Sequence, residues 1–240
     1  MKKSFSHVEG FTGYMSQVYK IVQAGPEQQT ILDIPAGNGL LAQRLRTHGH
    51  QVICADINDE EGFVYADMSK PLPFEDNTFD TLICMEGLEH LLNPSQMIAE
   101  CCRITKAGGR IIISLPNVQN MYSRLQFLCT GTFFQFPSIL PTQAARSQQV
   151  DLGHIAPLSY VQLRYLFSYY GAELSLISGD KFKKKILLPF LLPFILLGYF
   201  WSGKKNRMPL VSAHYPDDRR ERFNRYLLFS RSIILAFEKE

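Results

Sequence analysis

The stretch ILDIPAGNGLLA, Ile31 to Ala42, constrains the fold of this chain more than any other. An apolar run holding a single acid, Asp33, enters a small-residue turn, Pro35-Ala36-Gly37-Asn38-Gly39, and a helical pattern, LLAQRL, follows at once. A strand, a tight turn and a helix start in that order form a cradle for nucleotide-type ligands. Glycine lets backbone come close, and the first helical N–H groups with the helix dipole attract a carboxylate or phosphate. The turn also reads GxGxxA, so a dinucleotide fold competes at this point.

Three acids separate the two readings. Asp33 stands so close to the turn that it would repel a pyrophosphate, whereas it suits a cationic ligand such as S-adenosylmethionine, which carries a sulfonium and an ammonium. A second apolar run, QVICADI, ends in Asp56 and Ile57, near the spacing at which a strand-end carboxylate meets ribose hydroxyls. FVYADM then puts Asp67 and Met68 at a third strand end, where Asp67 could accept from an adenine amino group. Each acid alone could equally cap a loop.

The same rhythm continues downstream. FDTLICMEGLEHL holds a buried strand, Thr81 to Met85, a helix is expected from Pro94 to Lys106, and Ala107-Gly108-Gly109 breaks it ahead of a further strand, RIIISLPN. In order and spacing these segments resemble the class I S-adenosylmethionine-dependent methyltransferases, from about residue 14 to 178 and again in the last strand. One departure is Pro35-Ala36, where that family usually has Gly-Cys. The resemblance implies an α/β, Rossmann-like, doubly wound sheet of seven strands, mostly parallel with the last antiparallel. It implies S-adenosylmethionine as cofactor, held by Asp33, Pro35, Ala36, Gly37, Gly39, Asp56, Ile57, Asp67, Met68 and Met85.

Methyl transfer from an activated sulfonium asks mainly for positioning, and for an acceptor made nucleophilic by a base or a metal. His90, Glu86 and His154 are the catalytic candidates: His90 follows the fourth strand and His154 lies in the stretch after the fifth. Either histidine could instead be a packing residue. Glu86, Glu89 and His90 would share one face of a helix and could hold a divalent ion; the string CMEGLEH is similar to a stretch of ubiquinone-biosynthesis O-methyltransferases in which such residues are implicated in metal-assisted catalysis. Many methyltransferases carry them without a metal. Five cysteines, without metal spacing, read as reduced thiols, and MKKSFSHVEG has no apolar run of a secretory signal.

A second feature stands apart. From Ile186 to Trp201, ILLPFLLPFILLGYFW runs 16 residues without a charge, between a lysine cluster at 181–185 and Lys204, Lys205 and Arg207. It is short for a bilayer span of about 20 residues, and Pro189 and Pro193 would kink it. Between Lys181 and Arg231 there are 12 Lys and Arg against 3 acids, so +9, whereas the whole chain is +3. Such asymmetry indicates an anionic partner, and basic residues bracketing a greasy block fit lipid headgroups better than nucleic acid. A buried core helix or a dimer interface is the competing reading.

The expected organisation is a methyltransferase domain at 1–180, an apolar and basic insertion at 181–230 in contact with a membrane surface, and the final strand at 231–240. The function expected is methylation of an amphipathic acceptor, a lipid-linked saccharide or a prenylated quinol precursor, by a cytoplasmic protein peripheral to the membrane. A soluble acceptor and a binding module without catalysis stay open. Aromatic residues of 118–157 (Tyr122, Phe127, Phe133, Phe134, Phe136) could form a lid.

Overall fold

A computed structural model of the protein describes residues 10–58, 60–141, 153–182, 188–205 and 219–240. Its seven strands are β1 (Thr30–Asp33), β2 (Gln51–Asp56), β3 (Val64–Tyr65), β4 (Phe79–Met85), β5 (Thr105–Pro116), β6 (Ala172–Gly179) and β7 (Ser232–Lys239). They form one sheet in the order β3-β2-β1-β4-β5-β7-β6. The pairs among β1 to β5 are parallel, and β7 runs antiparallel between β5 and β6. This is the doubly wound methyltransferase-type sheet, and its order reverses between β1 and β4, where such sheets bind ligands.

Side-chain alternation explains the two layers. Ile31, Cys54, Ile83 and Ile112 face helices α1 (Gly13–Gln23) and α2 (Leu40–Arg46). Leu32, Leu82, Ile111 and Ile113 face α3 (Pro94–Ile104) and α5 (Tyr160–Tyr169), and α4 (Met121–Thr130) stands between β5 and α5 in the chain. Phe167 of α5 stacks on Phe237 of β7 with centroids 4.0 Å apart, so the antiparallel strand is fixed by aromatic packing as well as by its ladder. Helix α1 begins at Thr12, whose Oγ1 accepts from the Met15 N–H, and buries Met15, Val18 and Val22.

Several boundaries differ from expectation. Helix α3 stops at Ile104, and Thr105 to Gly109 already belong to β5 through a register shift between Phe79 and Thr81. A Cβ on Gly109 would lie 2.7 Å from Thr105 Cγ2 and from Lys106 O, so glycine lets the chain fold back on itself there. Strand β3 is only two residues long, and Asp67 lies just beyond it rather than at its end. Glu86 leaves β4 at φ 48 and only Leu88–His90 coil into a 3-10 turn, so Glu86, Glu89 and His90 do not share a helical face. The left-handed backbone at Glu86 takes the chain off a helical path, and its carboxyl accepts from Ser114 Oγ.

The apolar block forms α6 (Leu188–Lys205), with Pro193 inside it. Phe190, Leu192, Phe194, Leu196, Leu197, Tyr199, Phe200 and Trp201 are exposed, so this helix is not a core element of the chain. No described helix is long and apolar enough to cross a membrane. The lysines at 183–185, Arg207, and residues 142–152 of the expected lid lie outside the described residues. The stretch 217–229 holds two short helices, α7 (Arg219–Arg222) and α8 (Arg225–Phe229); α8 buries Leu227 and Leu228.

Candidate active site

Asp33, Asp56 and Met85 end β1, β2 and β4, Asp67 and Met68 follow β3, and His154 stands in the segment ahead of α5. Asp33 ends β1 with no solvent exposure, and neither of its oxygens meets a hydrogen-bond partner. Burial, and next the nearby Asp56 charge, push its pKa up to about 8 in spite of Arg46. A buried carboxyl with no donor of its own is costly unless a ligand completes it.

In front of it the turn is shaped by glycine. Gly37 and Gly39 take φ 57 and 67, and a Cβ on Gly39 would stand 3.1 Å from Phe63 Cζ. Asp56 holds this turn: its Oδ2 accepts from the Gly37 N–H at 2.9 Å and its Oδ1 from Asn58 N and Nδ2. The loop after β4 closes on the same turn through Gly87, whose Cβ would lie 2.7 Å from Pro35 Cδ and 2.9 Å from Met68 Cε. Pro35, Met68 and Gly87 therefore form one packed wall. Asp67 is engaged locally, accepting from Ser69 N and Oγ and pairing with Lys70 at 3.0 Å. Burial raises its pKa, but these bonds outweigh it and hold the group below the ordinary value. Met85 is buried at the end of β4, and Ile57 is half-buried beside Asp56.

A second group sits past β4. Glu86 accepts from Ser114 Oγ at 2.8 Å, and burial raises its pKa while that bond and the Arg231 charge oppose the rise. Glu89 is fully buried and both its carboxyl oxygens lack a hydrogen-bond partner. Desolvation first, and then Glu86, push it well above the carboxylate range. The main chain of Glu89 is tied down, its carbonyl accepting from Ile155 N and Ala156 N. That tie brings the distant segment around His154 against the turn.

The two histidines meet there. His90 Nδ1 lies 3.0 Å from Gly153 O and His154 Nδ1 2.8 Å from Gln135 O. A carbonyl can only accept, so each ring carries its proton on Nδ1 when neutral and keeps a lone pair on Nε2. Burial lowers the His154 pKa; the bond to the Gln135 carbonyl opposes this, and the Arg231 charge adds a smaller lowering. Glu89, His90 and His154 each place one donor atom within 4.8 Å of the others, a set that could hold a divalent ion; Glu86 is not among them.

Sequence reasoning missed several neighbours. Gln135 has φ 69, gives its carbonyl to His154 and has its buried Oε1 unpartnered. Tyr14 and Arg231 lie within electrostatic reach of Glu86. Among the described residues, the buried side-chain atoms without a partner belong only to Asp33, Glu89 and Gln135. Phe136 packs at 5.3 Å on His154, Phe127 stacks on Phe133 at 4.5 Å, and Tyr122 meets Phe134 at 5.3 Å. The aromatic residues expected as a lid thus pack on one another, and Phe136 reaches the histidine pair.

The sequence profile of the methyltransferase domain family matches residues 32–113. The chain is 26% identical over 162 residues to a ubiquinone biosynthesis O-methyltransferase of Dechloromonas aromatica, covering 56% of this chain and 68% of that protein. It is 33% identical over 99 residues to a demethylmenaquinone methyltransferase of Clavibacter sepedonicus, covering 35% of this chain and 40% of that one. The matched part therefore spans about two thirds of the first relative and less than half of the second. Among solved structures, a SAM-dependent methyltransferase from Archaeoglobus fulgidus superposes with a TM-score of 0.60 at 17% identity, covering 94% of this chain and 93% of that one. An S-adenosylmethionine-dependent methyltransferase from Mesorhizobium loti gives 0.56 at 12%, covering 96% and 100%. These two likenesses are likenesses of fold.

Proposed function

Because the chain belongs to the class I S-adenosylmethionine-dependent methyltransferases, we propose that it methylates a hydroxyl of an amphipathic acceptor, a prenylated quinol precursor or a lipid-linked saccharide. The observation that carries the reading is Asp33, a fully buried carboxyl without a partner behind a glycine turn. An uncompensated acid in that position fits a cationic ligand and disfavours a pyrophosphate. When bound, S-adenosylmethionine supplies an electrophilic methyl group on a sulfonium. Asp33 would balance its positive charge, Asp56 would accept from its ribose hydroxyls, and Gly37 and Gly39 would let it approach the backbone. Pro35, Met68 and Met85 would supply apolar walls.

The remaining chemistry belongs to the acceptor. A hydroxyl becomes nucleophilic when a base takes its proton, and His154 with His90 offers Nε2 lone pairs for that task. The Arg231 charge acts on His154, and Glu86 on the neighbouring Glu89. The quinol reading is supported by the names of the relatives, and the amphipathic character by the exposed apolar helix on the same chain.

The test is incubation with methyl-labelled S-adenosylmethionine and membranes and lysate of the source organism, followed by solvent partition. Label in the organic phase, absent with the Gly37→Val, Gly39→Val protein, is the expected result. Label confined to the aqueous phase would replace the acceptor with a soluble one, and no transfer above that control would overturn the reading.

A further inference from the structure

Helix α6 does not behave as a surface helix should. Leu191, Ile195, Gly198 and Ser202 are half-buried along one face, where Tyr199 and Gly198 approach Phe223. Around the rest of the cylinder Phe190 is 74% exposed, Phe194 and Phe200 68%, and Trp201 58%. Leu192, Leu196, Leu197 and Tyr199 are exposed as well, and at about 100° per residue the eight positions sweep roughly 220° of the circumference, twice the stripe that a packed neighbour covers. A single protein partner would leave much of that arc wet. An apolar medium that surrounds the helix would not.

We propose that α6 is an in-plane anchor that seats this protein on an acidic lipid bilayer, with the substrate edge of the sheet turned towards the lipid. Charge selects that occupant: the segment 181–231 carries +9 while the chain as a whole carries +3. In sequence, Lys181 and the lysines at 183–185 come before the helix, Lys204 and Lys205 are its last residues and Arg207 follows, a charge pattern that favours one anionic face for both ends. Its 18 residues reach about 27 Å, a length suited to lying in the headgroup and acyl boundary.

The roots of the insertion give the anchor its consequence. β6 and β7 continue past the sheet as a clasp: Arg231 N donates to Lys181 O, Ser232 N to Asp180 Oδ1, and Phe182 bridges Ser230. A Cβ on Gly179 would stand 2.6 Å from Ser230 Oγ, so the two strands are held as tightly as backbone allows. Lys181 Cε comes within 3.5 Å of the Cβ position of Gly13, at the start of α1, and Arg231 acts on Glu86 and His154. Farther out, Glu221 joins Arg164 at 2.7 Å and accepts from Tyr160 Oη, which ties α7 to α5. The anchor is thus fastened beside the Glu86 and His154 group, and a bilayer-resident acceptor would need to travel only along the anchor's root.

This surface stands independently of methyl transfer, and the two are measured separately. The only tryptophan of the chain, Trp201, lies on α6 and reports on it directly. The full-length protein is mixed with vesicles of phosphatidylglycerol and phosphatidylcholine, or of phosphatidylcholine alone, and read by flotation and by Trp201 emission. A blue shift and at least tenfold greater partition onto the acidic vesicles, weakened by salt, are expected. The double substitution Phe194→Asp, Phe200→Asp should remove that partition while S-adenosylhomocysteine affinity stays as in the parent. Unchanged emission without flotation overturns the proposal, as does flotation that survives the double substitution. Emission already blue without lipid, in a protein with the mass of a dimer, assigns α6 to a second copy; a shift driven by RNA and not by vesicles assigns it to nucleic acid.

Discussion

His90 and His154 meet edge to face with ring centroids 4.9 Å apart, although one closes the turn after β4 and the other follows the segment beyond β5. Each is oriented by a carbonyl on Nδ1, which leaves Nε2 as the acceptor nitrogen of each neutral ring, and the proposed reading makes His154 the base for the acceptor hydroxyl. His154→Gln should lower kcat by about 10²- to 10⁴-fold, the usual range for a lost general base. Cofactor affinity, read by calorimetry, should stay at the parent value. Because burial lowers the His154 pKa, the neutral base persists to lower pH than for a free imidazole. The acidic limb of the rate profile should therefore fall below 6.5 and vanish in the variant.

Asp33 predicts opposite effects on binding and on stability. Its carboxyl is pushed up to about 8 from an ordinary 3.8, so the ligand-free protein holds a proton there at neutral pH. A cationic ligand needs the charged form, and its binding should release that proton. Affinity should climb by up to about tenfold per pH unit and level off above about 8. Titrations in buffers of different ionisation enthalpy read the released proton directly; equal apparent enthalpies would remove the assignment. For folding the sign reverses. With the folded value above the unfolded one, the stability contribution is full below 3.8 and erodes as pH rises towards 8. Asp33→Asn should cancel that slope, so its melting temperature in the absence of ligand should gain on the parent between pH 6 and 8 while cofactor binding is lost.

How much of this was legible in the chain follows from what each residue depends on. The strand and turn from Ile31 to Gly39 could be read because apolar period, acid and glycines are all local, and the structure places Asp33, Asp56 and Met85 around that turn. The geometry of Glu86, Glu89 and His90 could not. It hinges on a left-handed residue, Glu86, so the three do not share the helical face that their spacing suggested. The donor set that forms instead includes His154, brought there by main-chain bonds from Ile155 and Ala156 to Glu89. Gln135 was illegible for the same reason. Helix α6 was legible as an apolar block, but its exposure is a tertiary fact that composition does not contain.

Gly87 tests the wall between the two loops. It has no left-handed backbone, so its glycine is needed for contact alone: a Cβ would strike Pro35 Cδ at 2.7 Å. Met68 could move its flexible end aside, but the proline ring could not. Gly87→Ala should cost about 1–3 kcal/mol in denaturant unfolding, the scale of overpacking. It should also raise the cofactor Kd, since Pro35 would be displaced from the turn. A stable variant with unchanged Kd would mean that the two loops are not mechanically linked.

Asp56 carries two duties that substitutions can separate. Its Oδ2 fixes the Gly37 N–H and its Oδ1 takes both donors of Asn58, so the carboxylate shapes the turn before any ligand arrives. Asp56→Ala removes the shape and the ligand contact together and should weaken cofactor binding at least tenfold, about 1.4 kcal/mol. Asp56→Asn keeps one acceptor oxygen, which can serve Gly37 or Asn58 but not both, and its amide then faces a donor. If the role were only to shape the turn, the amide would recover most of the affinity by satisfying Gly37. If the carboxylate also accepts from ribose hydroxyls, the amide should bind nearly as poorly as alanine, and a 2′-deoxy cofactor analogue should lose affinity on the parent protein but little on either variant. Calorimetry of the three proteins with both ligands completes a cycle in which the coupling energy is the ribose contact itself.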